Sequence, residues 1–352
     1  MKLDPQTVFV PQCKVFIDGK QLKASSNMIE SVAVQLSASE MANSCEISIF
    51  CDYNHENSSA GSIIGTATAG KKVKVEMGYS LTKPVFLGYI NSVSVNFSQD
   101  GVSLSISCLD ARGLLMGNTS REGFENESVS QIVNKLLSPI KSYTDGVTVS
   151  VPGAADKEYP LNQHDMDDYT FICMLAKLSG CSFCMTDTKL RFVKNIYTTA
   201  SMGESYDWGK NLISFSRNVV LSGQLGKVRV MGTTPDTIED FSADCQPLSG
   251  SGKSGASLCP PIKDKVREMV CKTLKNQSEA KIYAEALMRE SCMKLCTGQA
   301  QVVGNESLNP GTKIRFGGLD PKINGTYYVT TVTHRFSAAG FLTTVGFCSP
   351  TV

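Results

Sequence analysis

Few residues of this chain have the types and spacing that chemistry requires. The candidates are three histidines (His55, His164 and His334), thirteen cysteines, and a Gly-Ser-Gly-Lys-Ser run from Gly250 to Ser254. The Gly-rich run would cradle a phosphate if it followed a buried strand and opened a helix whose first N–H groups met the anion. Pro247 occupies the earlier glycine position of such a loop, and GASLCPP, Gly255 to Pro261, is not expected to start a helix promptly. A flexible Gly/Ser/Pro loop is the expectation. Cys181 and Cys184 form one C-x-x-C, half of a zinc ribbon, but no second pair follows. Their alternation with Phe183 suits hairpin packing. Cys292 and Cys296 read as neighbours on one helical face, where burial is the plain expectation. His164 and Asp165 precede Asp167 and Asp168. With a Ser or Cys they would make a hydrolytic triad, yet no G-x-S-x-G or H-E-x-x-H accompanies them. An acidic cluster there fits the first turn of a helix, where the dipole favours negative charge. His334 alternates with Val332 and Phe336, which makes it a core or interface histidine of a strand. No catalytic, cofactor-binding or metal-binding residue is assigned, and the chain is expected not to be an enzyme.

Composition sets the frame for these residues. With 352 residues, 41% hydrophobic and 19% charged, two or three folded domains are expected. A formal net charge of +1 provides no field to gather nucleic acid or an anionic membrane. The N-terminal MKLDPQTVFVPQ lacks the apolar centre of a secretory signal. No apolar run approaches the roughly 18 residues of a membrane span. The odd cysteine count, scattered from Cys13 to Cys348 and alternating with apolar residues as in SCEISIFC, points to reduced, buried thiols made in a cytoplasm.

The elements that would position these residues are mostly strands. CKVFIDGKQL reads as strand, Asp-Gly turn, strand. ESVAVQLSAS, NSCEISIFCD, GKKVKVEMGYS, INSVSVNF and VSLSISCLD alternate with period two, with a polar loop from Tyr53 to Gly61 among them. Residues 1–117 are therefore expected to form one antiparallel β-barrel or sandwich. NESVSQIVNKLLSPI reads as a helix. DMDDYTFICMLAKLSGCSFCMTDTKLRFV reads as a helix capped by Asp167 or Asp168, leaving at Gly180 into a hairpin. Residues 118–198 are expected as an α+β helix-hairpin domain. Residues 199–235 and 298–352 return to strands. Residues 236–297 hold a loop and a long helix with Ser278 as cap and Gly298 as stop.

Two stretches match. Gly70, Lys72, Val73, Val75, Val93, Phe97, Ser98 and Gly101 recur as Gly311, Lys313, Ile314, Phe316, Val332, Phe336, Ser337 and Gly340. Each reads as a β-meander with aromatic and β-branched residues on its buried face and glycine at the turn. A duplicated module is expected, with Phe97 and Phe336 equivalent.

Further features carry a resemblance. Gln163 stands before an acidic helix start, Asp168 to Gly180 follows, and Leu190-x-Phe192 closes a strand. Pro310-Gly311, Gly325-x-Tyr327-x-Val329 and His334 come later. In this order the chain resembles the phage late control protein D family of contractile-tail baseplate hubs, and is similar to the hub portion of the type VI secretion spike protein VgrG. The resemblance implies a mainly β fold with α+β insertions, built on two tail-tube-like antiparallel barrels. The repeat and the resemblance together mark Phe97, Gly101, Gly311, Gly325, Tyr327, His334, Phe336 and Gly340 as structural motif residues. The resemblance implies a homotrimeric ring that adapts a sixfold tail tube to a threefold spike. The implied partners are tube protein, a separate spike chain and other baseplate proteins, without cofactor, specific nucleic acid or membrane insertion. Because the sequence stops soon after the second β unit, the spike is expected on another chain. The implied location is the tail baseplate of a virion or an injection particle. The alternatives are an adhesive or receptor-binding tail β-protein and, less favoured for want of a convergent polar site, a cell-wall hydrolase.

Overall fold

The computed structural model describes residues 10–22, 27–38, 41–51, 53, 63–99, 101–156, 158–234, 237–248, 250 and 252–352. His55, nearly all of the polar loop 53–61, Asp100 of the expected Asp-Gly turn and Ser251 of the Gly-rich run lie outside them.

Period-two alternation becomes strand wherever it was strongest, because alternate side chains of a strand face one core. Neighbouring strands of the first unit run Gln12–Ile17, Lys72–Gly78, Thr82–Ser98, Gly101–Leu109, Ser44–Cys51 and Asn27–Ser37, all antiparallel. Asp18 and Gly19 turn the first strand into the short Lys20–Gln21 with φ of 47° and 78°. The second unit repeats the order as Met202–Asp207, Lys313–Gly317, Gly325–Ser337, Gly340–Ser349, Cys296–Val303 and Leu212–Val219. It differs in that its first pair is parallel.

The match extends to register. Phe97 opposes Val102 and Ser98 opposes Gly101, just as Phe336 opposes Phe341 and Ser337 opposes Gly340. Gly101 and Gly340 take φ of 132° and 102°, where a side chain is strained. A β-bulge falls between Ile90 and Ser92 in one unit and between Val329 and Thr331 in the other, each seven residues before its phenylalanine. A further bulge lies between Ile29 and Ser31, and again between Leu212 and Ser214. Gly70 donates to the Ile90 carbonyl at 2.8 Å, and Gly311 to that of Val329 at 2.9 Å. Bulges are placed features of a fold, and their recurrence at matched positions marks the two units as copies.

The units are joined edge to edge. Residues 331–337 pair antiparallel with residues 31–37, Thr331 opposite Ser37 and Phe336 opposite Val32. Together they make one thirteen-stranded sheet. Among the described residues, neither unit closes on itself through strand hydrogen bonds. One apolar core serves both, from Val15, Ile47 and Leu104 to Phe316, Val332 and Phe347.

Two further cores hold the inserted elements. Helices Val129–Leu137 and Asp168–Leu178 pack with the hairpin Cys181–Thr186/Lys189–Lys194 around Phe124, Phe171 and Phe192. Ser128 and Gln131 form a capping box on the first helix, and Asp167 caps the second. Gly180 follows with φ of 63°. The third core lies under helix Gln277–Met293. Its cap is Asn276, not Ser278: the Asn276 side-chain oxygen accepts from the Glu279 N–H at 3.1 Å, while the Glu279 carboxylate accepts from the Asn276 side-chain amide at 2.6 Å and from the Lys275 N–H at 2.9 Å. Gly298 does not stop this helix. It sits inside strand Cys296–Val303 with the Phe347 ring over it, and Cys296 therefore shares a helical face with nothing. Lys227–Thr233, expected with the second β unit, pairs instead with Asp240–Cys245 and Val266–Val270 in a separate three-stranded sheet. The stretch expected to hold a loop and a helix thus supplies two strands as well. Their sequences, DFSADC and VREMV, are largely solvent-facing and show little apolar alternation.

Candidate functional site

A buried polar knot holds the helix-hairpin elements against the first β unit. Arg112 and Asp110 are fully buried, with the guanidinium forked onto the carboxylate at 2.8 to 3.2 Å. Arg112 also donates to the Asn43 carbonyl oxygen at 3.1 Å and to the Phe183 backbone at 3.3 Å. Asn43 donates to the Met185 carbonyl at 2.9 Å. Burial alone would lower the Arg112 pKa, but the adjoining Asp110 prevails and raises it. Sequence reading missed this knot, because Asp-Ala-Arg-Gly looks like a solvated turn.

The residues weighed for catalysis do not converge. His164 and Asp165 are exposed, with left-handed φ of 50° and 61°, and Asp165 pairs with Arg121 at 2.7 Å. Asp167 accepts from the Thr170 N–H at 2.6 Å. Burial opposes its ionisation, yet hydrogen bonds from Thr170 and Gly117 hold it below the ordinary carboxylate range. Gln163, buried, donates to Asp168 at 2.8 Å and so fastens the chain entering that helix. Cys181 and Cys184 are packed in the hairpin, and burial lifts the Cys181 thiol to about 11 and raises that of Cys184. A thiol held protonated is neither a nucleophile nor a ready metal ligand. Among the described residues, no three His, Cys, Asp or Glu side chains gather to hold a metal ion.

The Gly-rich run is used inside the protein. Lys253 N–H donates to the Val352 carbonyl at 2.7 Å, and Val352 N–H to that of Lys253 at 3.0 Å. Contrary to expectation, a helical turn, Gly255–Leu258, starts at once, because Ser254 caps it by accepting from Ser257 N–H. Cys259 and Pro260 end it after one turn.

A cleft of about 890 Å³ opens between helix Asp168–Leu178, helix Gln277–Met293 and the second β unit. Arg289, Tyr197, Met293 and Cys348 are among its lining residues. Burial lowers the Arg289 pKa and pushes the Cys348 thiol up to about 12.

The motif residues divide into core and edge. Tyr327 is buried among Phe215, Phe316 and Phe347, and donates to the Ile323 carbonyl at 2.6 Å. Gly325 opens its strand, Gly311 precedes Lys313–Gly317 with φ of 83°, and Gly340 holds the meander turn. His334 is fully buried, with Nδ1 3.1 Å from the Thr343 hydroxyl. Phe97 departs from expectation: its side chain is 60% exposed, its ring edge against Tyr53. The reason is topological. Strand Thr82–Ser98 outruns Lys72–Gly78, so beyond residue 90 it has a strand neighbour on one side only among the described residues. Phe336, its counterpart, is half-buried because residues 31–37 cover that edge. Strand Leu212–Val219, the counterpart of Asn27–Ser37, is beyond Leu212 likewise paired on one side only among the described residues, and Ile213, Val219 and Val220 are exposed along it. Among the described residues, these two open edges, rather than a pocket with reactive groups, are prominent surface features of the β units.

Comparison with solved structures gives the same fold in tail proteins. The 43 kDa tail protein of prophage MuSo2 from Shewanella oneidensis superposes with a TM-score of 0.72 at 14% identity, over 97% of this chain and 98% of that one. A tail protein from Neisseria meningitidis MC58 gives 0.71 at 12% identity, over 97% of both chains. The E. coli c3393 protein, a type VI secretion component described as similar to T4 bacteriophage tail proteins gp27 and gp5, gives 0.61 at 14% identity, over 95% of this chain and 76% of that one. The resemblance read from the sequence is met at this coarser level, a mainly β fold shared with phage-tail and type VI secretion proteins. No curated protein matches the sequence. Residues 7–338 match the family described as the Alg8 N-terminal domain, and the chain belongs to that family.

Proposed function

We propose that the protein is a structural baseplate hub of a contractile tail or a phage-like injection machine, and that three copies form a ring adapting a sixfold tube to a threefold spike. The observation that carries this reading is the in-register duplication. One chain holds two copies of a six-strand unit, and they stand side by side through strand pairing. Three such chains present six similar units, the count that a sixfold tube requires, and repeat as a threefold object toward a spike. The tail-protein fold supports the same setting. In this reading each unit is a tube-like barrel completed by its neighbours, and the elements at 118–198 and 236–297 lie outside the ring, toward spike and baseplate. The role is mechanical, which agrees with buried, protonated thiols and scattered histidines. Its place is the particle, with tube protein, a separate spike chain and other baseplate proteins as partners. The residues Phe97, Gly101, Gly311, Gly325, Tyr327, His334, Phe336 and Gly340 act through the shape of the meanders. The test is mass by light scattering of the purified chain, alone and with candidate spike and tube proteins, followed by particle imaging. A threefold mass and a ring of six similar lobes are expected. A monomer in every combination would overturn the reading and favour an adhesive β-protein.

A further inference from the structure

We infer that the cleft between helix Asp168–Leu178, helix Gln277–Met293 and the second β unit receives a segment of a second polypeptide, seating an acidic side chain on Arg289 and a neighbouring aromatic one on the apolar floor beside it. The inference goes beyond the hub reading and holds whether or not three copies close a ring.

The cleft exists because small residues stand where the helices face the sheet. Helix Gln277–Met293 turns Ala286, Arg289 and Met293 toward it, at the three- and four-residue spacing of one helical face. Helix Asp168–Leu178 contributes Ala176, and the strands contribute Gly298 and Gly346. With alanine and glycine at these positions the layers cannot fill the space between them, and about 890 Å³ stays open. Interiors are otherwise close-packed, and an opening of this size with a mixed apolar and polar lining suits a ligand.

Arg289 is the group that points to an anion, and Arg112 sets the comparison. Arg112 has Asp110 forked onto it, and that carboxylate raises its pKa despite burial. Arg289 is half-buried and makes no hydrogen bond or ion pair among the described residues. Burial lowers its pKa, and Glu285, one turn back on the same helix, opposes this from beyond ion-pair distance without overcoming it. A charge partly removed from water without a partner costs free energy, so the arrangement favours a ligand that brings a carboxylate. The surrounding charge has the same sign. Lys177 and Lys294 share Glu290, at 3.1 and 2.9 Å, and no other acidic residue is among the described lining. Three cations thus meet one carboxylate, a balance of +2 in the cleft against +1 for the whole chain. Such an excess in a recess gathers anions.

The floor and walls choose what carries the carboxylate. Met293 lies against the buried Cys348 sulfur at 3.6 Å, and half-buried Tyr197 stands among the same lining. Methionine adapts its shape, and its sulfur makes favourable contact with ring edges, which suits an aromatic neighbour of the acid. Neutral hydrogen-bonding groups come from three further places: Asn195 after the hairpin, and Gln299 and Thr330 on two strands. Groups spread along the cleft suit successive peptide N–H and C=O groups, whereas a small acid would use one end only.

The probe is the capped peptide acetyl-Gly-Glu-Phe-Gly-amide, whose single charge is its side-chain carboxylate. Binding to the full chain is followed by calorimetry and by the NMR signal of the Met293 methyl group. Met77, buried in the first β unit, is the reference. Saturable binding in the millimolar range or tighter is expected, with a shift at Met293 and none at Met77. Replacing Glu by Gln in the probe is expected to weaken binding at least about tenfold, as is Arg289→Gln. Ala286→Trp, which fills the cleft from the helix, is expected to abolish binding with the melting temperature unchanged. Equal binding of the Glu and Gln probes, indifference to Arg289→Gln, or binding retained in Ala286→Trp would overturn the inference. So would an absence of binding, or free 3-phenylpropionate binding as tightly as the peptide, which would make the cleft a small-acid site. If Arg289→Gln does not fold, the two probes on the unaltered chain decide. None of these measurements depends on the mass of the assembly. Their failure leaves the hub reading standing, and a monomer leaves this inference standing.

Discussion

At the residue scale, His334 shows how a polar group is kept in a core. Burial lowers its pKa to about 4, against a smaller opposing pull from the backbone at Leu308, whereas an unburied histidine titrates near 6.5. The folded chain therefore holds the ring neutral, while the unfolded chain takes up a proton as pH falls below the ordinary value. Stability is complete above about pH 6.5 and is lost as pH falls toward 4, by roughly 3 kcal/mol at the lower end. Denaturant titrations at several pH values should show this slope, and His334→Val should remove it. Thr343 keeps a second partner in that variant, the N–H of Asn305 at 3.0 Å. A slope unchanged in His334→Val would mean that another group titrates. Arg112 is the opposite case, a cation kept charged in a dry place because Asp110 forks onto it. Breaking such a pair from one side costs more than the pair itself contributes.

At the element scale, legibility followed how local the physics was. The Asp18–Gly19 turn, the Asp167 cap and the Gly180 exit each depend on a few adjacent residues, and each was readable. Asn276 was passed over for Ser278 because the deciding bonds come from Glu279, whose carboxylate reads as a surface charge in sequence. The three-stranded sheet is not legible because two of its strands, Asp240–Cys245 and Val266–Val270, alternate too weakly to announce a face. Gly298 illustrates the limit most clearly. In sequence it is a glycine after a helix; in the fold it is the gap that lets Phe347 lie across a strand. A Cβ there would run into the Phe347 ring and the Ser216 carbonyl. Gly298→Ala should thus cost roughly 1–3 kcal/mol by overpacking, read as a lowered denaturation midpoint with an unchanged slope. A neutral effect would show that the ring moves aside freely.

At the scale of the whole molecule, the duplication was visible in sequence, but its use was not. Phe97 and Phe336 share a motif and differ in surroundings, because one edge is covered within the chain and the other is not. No local pattern reports which. The open edges of Thr82–Ser98 beyond residue 90 and of Leu212–Val219 carry no charge but Arg217, so a ring assembled through the β units should change little from low to high salt, unlike an association driven by exposed charges. Sedimentation across a salt series checks this, and dissociation by salt would point to an ionic interface elsewhere. The junction between residues 31–37 and 331–337 has a last consequence, which concerns force. Hydrogen bonds of an antiparallel pair lie across the strands. A pull along the strands strains every bond of the junction together in shear, so all must yield at once. A pull across them opens the pairs one after another, like a zip. The same seven-residue seam is therefore strong in one direction and weak in the other. A sheet continued around a ring would resist tearing when thrust acts along its strands, and come apart when a neighbour is peeled outward.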